Sequence, residues 1–241
     1  MLKMMAVARR RPGMTHAEYV DYVLNVHGAI ARKNPVGLAI YRQSHVYDSG
    51  FGSAASNDHV GVFHRDSVTE LHFASPEDLT RTFADEYTQT VVAPDGLNFA
   101  EIATNAAFLT RETVLIEPER RSDQTKIMHF LAPADGDRST AQAAWAGAHE
   151  AALVATPAFA ALLAGVIRSD AAPPGAAADR HFGGGSGPST AVVASLWLPD
   201  DAVAQFRQYE SALLASGQFD PRHSFFLFTR EHCVFDRSHE A

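Results

Sequence analysis

One cysteine, Cys233, is the chain's whole complement in 241 residues. No disulfide framework can form within the chain, and a reducing compartment is the expectation. Basic residues are also in short supply. Twenty Lys and Arg face 28 Asp and Glu, for a formal net charge of −8 and a pI near 5.8. Only Arg9–Arg11 makes a basic cluster, which is far from the basic stripe that a phosphate backbone demands, so no nucleic-acid partner is expected. Long apolar runs are missing too. No stretch approaches the ~18 apolar residues of a membrane span. The N-terminus, MLKMMAVARR, lacks the sustained apolar segment of a secretory signal. These absences point to a cytoplasmic protein with no membrane partner.

Several catalytic signatures are absent as well. Twelve histidines occur, but none with H-E-x-x-H or H-x-x-x-H spacing. His59 and His64, with Asp58 and Asp66 nearby, are too loosely spaced to predict a metal site. No G-x-S-x-G elbow supports a serine nucleophile, and the glycines at 183–185 lead into no G-K-[ST] phosphate loop.

What is present is a repeat. Thr-Arg-Glu occurs in the β-rich runs at 110–112 and 229–231, an offset of 119 residues. A histidine late in a helical stretch, eight residues before a proline, occurs at His27 and again at His149, an offset of 122. Asp48 and Asp170 keep that offset. Each half reads strand, helix, strand, strand, helix, strand. In the first, Thr15 and Glu18 form a T-x-x-E capping box. Val20, Val23, Leu24, His27 and Ala31 then trace one helical face. Ser75, Pro76 and Asp78 open a second helix, with Leu79, Phe83, Tyr87 and Val91 as its apolar face. In the second half Ser139 and Gln142 read as the capping box. The fold class is therefore α+β: two ferredoxin-like βαββαβ repeats, residues 1–117 and 124–241, forming a fused dimeric α+β barrel. A monomer suffices for such a barrel, while exposed strand edges leave room for a homodimer.

The strand IYRQSHVY alternates Tyr41, Gln43, His45 and Tyr47 onto one face. Its counterpart in the second half reads as Leu163, Gly165 and Ile167, apolar or empty. The first half is thus the better candidate for chemistry. His27 can accept and return a proton, and burial favours its neutral, basic form. The competing reading is a core histidine satisfied on both nitrogens. Tyr41 and His45 are candidate donors to a carbonyl or phenolate. His72 shares a strand face with Glu70 and is a candidate partner of His27; it corresponds to Trp197 in the second half.

The segments RRPGMTHAEYVDYVLNVHGAI, YRQSHV, VTELHFASPEDL and DGLNFAE together resemble the EthD family of dimeric α+β-barrel proteins. The second half resembles it only through its helix histidine and final strand. The resemblance implies a ferredoxin-like fold and small-molecule catabolism or secondary metabolism, often oxidative, with some dehydratase-like relatives. It also implies that His27 lies near a pocket. Family members commonly carry Trp four residues before this histidine. Here Val23 stands there, while Trp145 precedes His149 in the second half. Asp95 and Asn98 match the family's acidic turn.

The expected catalytic set is His27, Tyr41, His45 and His72. The expected substrate-binding set is Val23, Leu24, Gln43, Asp95, Asn98, Phe99, Trp145, His149 and Trp197. The expected activity is cofactor-free: formation of an enolate or phenolate from a small apolar ketone, phenol or polyketide-like substrate in an oxidative pathway. The alternatives are a dehydratase or isomerase on the same substrates, a non-catalytic binding protein, and a haem protein with an axial histidine such as His149.

Overall fold

The computed structural model describes residues 1–52, 64–121, 123–172, 190–200 and 202–239. The long segments at 53–63 and 173–189, and with them Asp58 and His59, lie outside the described residues.

Eight antiparallel strands close into one barrel: β1 (Leu2–Ala8), β2 (Leu38–Phe51), β3 (Ser67–Phe73), β4 (Ala106–Ile116), β5 (Gln124–Leu131), β6 (Gly165–Ala172), β7 (Val192–Pro199) and β8 (Phe225–Asp236). Around the barrel they run β1-β3-β2-β8-β5-β7-β6-β4. The first four strands thus occupy one side in the order β4-β1-β3-β2, and the last four repeat that order as β8-β5-β7-β6. The seams are β2 on β8 and β4 on β6. The molecule is a mixed α+β protein of the dimeric α+β barrel type. Closure pairs both sides of every strand, so the exposed edges expected from the sequence are not there among the described residues.

Alternation gives each strand a face inside the barrel and a face under the helices. The inside is apolar at one end, with Met5, Val68, Met128, Phe130 and Leu227. The other end is ionic. Lys3 and Lys126, both almost fully buried, share Glu70; Lys3 also meets Glu112 at 2.7 Å and Lys126 meets Glu231 at 2.6 Å. Trp197 lies in this end too, with the Lys126 ammonium and the Arg120 guanidinium about 5 Å from its ring.

On the outside, the first half carries α1 (His16–Asp21), a π-helical turn (Tyr22–His27) and α2 (Gly28–Lys33) as one continuous rod. The Thr15/Glu18 capping box is formed in full. Buried Tyr19, Val23 and Ala31, with partly buried His27, recur every fourth residue. An α-helix would rotate such a row off its own face, but the wider π turn holds it in line. The second helical stretch is α3 (Pro76–Ala84), capped by Ser75 as expected. It then breaks at Asp85 and resumes as a π turn (Thr88–Val92) and the short α4 (Ala93–Asp95). The break turns Val91 outward, 38 % exposed, in place of the buried site expected. In the second half α5 (Arg138–Ala155) is capped by Asp137 and not by Ser139, because the Asp137 carboxylate takes the Ser139 N–H. The short α6 (Pro157–Ala160) and α7 (Val203–Leu214) complete the layer.

The comparison of second strands needs a correction. Val166 and Arg168 of β6 face the helices: Val166 joins the core with Trp145, and Arg168 bonds the Gln142 carbonyl of α5. Gly165 and Ile167 therefore face the barrel interior. The equivalent of Tyr41 is one register step away from the residues first aligned with it, and a one-residue slip exchanges the two faces.

The two halves fill the space between sheet and helices differently. In the second half Trp145, Phe159, Phe206, Tyr209, Leu213 and Phe226 pack into one cluster. In the first, the outer face of β1 ends in Ala6 and Ala8, and the side chains opposite do not reach them. A cavity of about 90 Å³ remains.

Candidate active site

The cavity lies between the outer face of β1, β2 and β3 and the helical layer above. Ala6, Ala8, Thr69, Leu71 and Tyr41 form its floor; His27, Phe83, Val92 and Phe99 belong to its roof and walls. Its surface is mostly apolar, as small-molecule sites are. It is open on one side, so a ligand larger than one ring can extend outward.

His27 ends the first π turn and Asp95 follows the second. The His27 Nδ1–H donates to Asp95 Oδ2 at 2.8 Å. Asp95 Oδ1 accepts from the Tyr22 hydroxyl at 2.7 Å and from Asn98 Nδ2 at 2.9 Å. Burial alone raises the Asp95 pKa, but these three bonds outweigh it and hold the carboxyl down at about 2. Asp95 is thus a carboxylate at neutral pH and an acceptor only. The His27 Nδ1 must therefore carry a proton, and in the neutral ring the lone pair is then on Nε2. The ring leans against Phe99, centroids 4.7 Å apart and planes tilted by 56°.

Across the cavity stands Tyr41, 2 % exposed. Burial pushes its phenol up to about 12, against the opposing hydrogen bonds of Gln43 and Thr69. It is therefore a protonated donor at neutral pH. Gln43 itself is fully buried and does not line the cavity. Its Nε2 donates to the Val23 carbonyl at 2.9 Å and to the Tyr41 oxygen at 2.8 Å. Its Oε1 faces His45 Nε2 at 2.9 Å. His45 is held low, at about 3, by burial and by His232, whose ring lies 4.6 Å away.

The sequence-predicted residues thus separate into groups. His27, Tyr41 and Phe99 line the cavity, with Asp95 and Asn98 behind His27. Val23 contributes its carbonyl and Leu24 is half-buried outside the lining. Gln43 and His45 stand behind Tyr41, so neither meets a ligand directly. His72 is not brought to His27. It faces the barrel interior, 3.4 Å from Glu112, and burial and Lys3 depress it to about 4. Trp197 shares that interior. Trp145 and His149 belong to the packed core of the second half: their rings stack at 4.5 Å, and His149 Nδ1 meets the Tyr209 hydroxyl at 2.6 Å. Sequence reasoning missed Tyr19, which lines the cavity and bonds Ser67 at 2.6 Å, and Tyr22, which bonds Asp95. The four-residue spacing of Tyr19, Val23, His27 and Ala31 was the available signal.

A dimeric α+β barrel with a His–Asp pair over an apolar cavity is the class that fold and site define. Residues 11–103, which carry His27, Tyr41, Asp95 and Phe99, match the EthD domain family. Among solved structures the chain is similar to an anthrone oxidase-like protein, at 14 % identity, covering 98 % of this chain and 94 % of that one, TM-score 0.50. It is similar to a chlorite dismutase from Candidatus Nitrospira defluvii in complex with imidazole, at 11 % identity, covering 97 % and 91 %, TM-score 0.51. It is also similar to a Fusobacterium nucleatum protein described as a monooxygenase, at 5 % identity, covering 97 % and 92 %, TM-score 0.50. At such identities the likeness concerns the fold. No curated protein sequence matches the chain.

These comparisons correct one expectation. Chlorite dismutases are haem proteins, so a cofactor-free enzyme does not follow from this fold. His149, the axial candidate expected from sequence, stacks on Trp145, bonds Tyr209 and is not among the residues that line the cavity. His27 has the carboxylate backing typical of a metal-bound histidine, but among the described residues the lining of its cavity holds no Lys or Arg to meet a tetrapyrrole's carboxylates. The residues described do not fit the group. No helix among them is long and apolar enough to cross a membrane.

Proposed function

We propose that the chain is a small-molecule enzyme of oxidative metabolism whose first step removes a proton from a one-ring phenol or enolisable ketone. The observation that carries this reading is the His27–Asp95 pair, 2.8 Å apart, on a histidine that lines an apolar cavity. The substrate's O–H or activated C–H gives its proton to His27 Nε2. The imidazolium so formed is stabilised by Asp95. The developing oxyanion is met by the Tyr41 hydroxyl on the facing wall, in the manner of an oxyanion site. The resulting phenolate or enolate is the electron-rich species that an oxidant consumes. The names of the anthrone oxidase-like and monooxygenase-described relatives favour oxidation over loss of water or isomerisation as its fate. The cavity's size favours a single ring, or one ring of a larger molecule extending through the open side. We further read the chain as two ferredoxin-like repeats, residues 1–117 and 124–241, of which the first keeps the site and the second has filled its own with aromatic side chains.

The test is exchange of solvent deuterium into phenylacetone, a one-ring ketone with an acidic methylene, followed by proton NMR in heavy water. A positioned base contributes roughly 10²–10⁴-fold. Wild-type protein is expected to accelerate exchange, His27→Ala to lose that acceleration, and Asp95→Asn to lose most of it. An exchange rate unaffected by the protein, or equal in wild type and His27→Ala, sinks the reading. A sheltering, non-catalytic binding protein would bind the ketone and leave exchange unchanged.

A further inference from the structure

Resting on that reading of the cavity, we propose that Gln43 is a positioning residue: it locks the π turn that carries His27 to the phenol of Tyr41 and directs the Tyr41 proton into the cavity. One backbone group decides the whole arrangement. The carbonyl of Val23 lies inside the π turn, where the Gly28 N–H already reaches it. A carbonyl only accepts hydrogen bonds, so the Gln43 atom 2.9 Å from it must be the amide nitrogen. The reversed amide would set two acceptors face to face.

Once Nε2 is fixed, two further assignments follow. The second Nε2–H points at the Tyr41 oxygen, 2.8 Å away. That oxygen accepts from Gln43 and has the Thr69 hydroxyl as a second partner. Both bonds oppose the rise of the phenol's pKa, as donors do, so the phenol's own proton is left for the cavity that Tyr41 lines. At the other end Oε1 can only accept, so His45 must carry its proton on Nε2. Its Nδ1 is then a bare lone pair, in agreement with the absence of any partner for that buried atom among the described residues. Burial and the neighbouring His232 and His16 keep His45 from becoming an imidazolium. The chain of donors therefore runs one way, from His45 through Gln43 to Tyr41 and on to the ligand.

The packing is built around this amide. Gly28 follows His27, and a Cβ there would meet Gln43 Nε2 at 3.6 Å and a Val234 methyl at 3.3 Å. The glycine lets the helix descend onto the amide. Gln43 is 0 % exposed and His45 4 %. A leucine in place of Gln43 keeps the volume, leaves the Val23 carbonyl with its Gly28 bond, and frees Tyr41 to rotate its proton toward other acceptors.

The experiment measures the binding of para-nitrophenol, whose visible absorbance reports ionisation, and of para-nitroanisole, which cannot ionise, to wild type, Gln43→Leu, His45→Gln and His27→Ala. Wild type is expected to bind the nitrophenol as its anion at a pH where the free phenol is largely protonated. Gln43→Leu is expected to hold nitroanisole within about threefold while losing anion preference by about tenfold or more, the scale of one hydrogen bond to a charged group. His45→Gln keeps the overall fold accessible if Gln43→Leu does not fold, and is expected to lose a smaller part of the preference. Equal anion preference in wild type and both variants overturns the proposal. A wild type with no anion preference counts against the proton-abstraction reading instead. In that event nitrogen NMR of the histidine rings decides on Gln43: His45 protonated on Nε2 in wild type and not in Gln43→Leu supports the lock, and the same tautomer in both overturns it.

Discussion

Acidification from pH 6.5 to 4.5 is predicted to unfold this protein by way of its buried neutral histidines. In the folded state burial lowers His45 and His129 to about 3, and His72 and His149 to about 4. In the unfolded chain an imidazole titrates near 6.5. Between these limits the unfolded state binds four protons that the native state refuses, and stability falls as pH falls. One group opposes them. Burial raises Glu210 to about 7 despite Arg207 at 3.0 Å. Its folded form binds a proton that the unfolded form has shed above ~4.3, which favours the native state as pH drops. Three protons remain, net. At ~1.4 kcal/mol per proton per pH unit, the loss is about 4 kcal/mol per unit between pH 6 and 5. That is a large share of a typical total of ~5–15 kcal/mol. The depressed carboxylates Asp95, Asp66 and Glu112 add their losses only below the unfolded carboxylate range, near pH 4. Guanidinium unfolding midpoints at half-unit pH steps measure the slope. His129→Leu should reduce it by about one proton, and it also removes a buried Nδ1 that has no hydrogen-bond partner among the described residues. A stability that is level between pH 6.5 and 5 refutes the reasoning.

Other substitutions test the framework around the site. Glu70→Gln leaves two buried ammonium groups sharing a neutral amide and should cost about 3–5 kcal/mol in denaturant unfolding, with Lys3 keeping the Glu112 carboxylate and Lys126 that of Glu231. Thr15→Ala removes the capping box and should cost about 1 kcal/mol, read in the same way. Gly165→Ala sets a Cβ 2.5 Å from Pro118 Cβ and 2.8 Å from its Cα, and overpacking of this kind costs roughly 1–3 kcal/mol. Ala6→Leu grows into the cavity floor; it should abolish nitroanisole binding measured by calorimetry while leaving the unfolding midpoint near or above that of wild type.

The local rules written in the chain were readable where local energetics decide. Thr15 with Glu18, Ser75 with Pro76, and the alternation of β2 each act within a few residues, and each took the expected form. His27 was legible because a polar ring on an apolar face is costly unless something meets it. Its partner was legible only through the family resemblance, whose acidic turn offered Asp95 as a residue that orients His27 or a neighbour. Asp95 sits in Pro-Asp-Gly, a turn by every local criterion, and becomes a carboxylate anchor only because two π turns, which have no sequence signature, bring it 68 residues back along the chain to His27. His72 failed for a different reason. Its parity along β3 was right, but which face of the strand meets the helices depends on register with its neighbours: Tyr41 pairs with Leu71, and Ile40 with His72. That register is set by the whole barrel, and no single strand contains it. The same long-range step misaligned Gly165 and Ile167 with the face of Tyr41.

The account rests most heavily on the free nitrogen of His27. Nitrogen NMR of the histidine rings, recorded before and after saturation with para-nitrophenol near neutral pH, addresses that atom directly. His27 is expected to begin as the neutral form protonated on Nδ1, and to gain a proton on Nε2 as the bound phenol turns yellow. A His27 resonance that does not move while the phenol binds, or a phenol that binds without ionising, contradicts the assignment of this ring as the base.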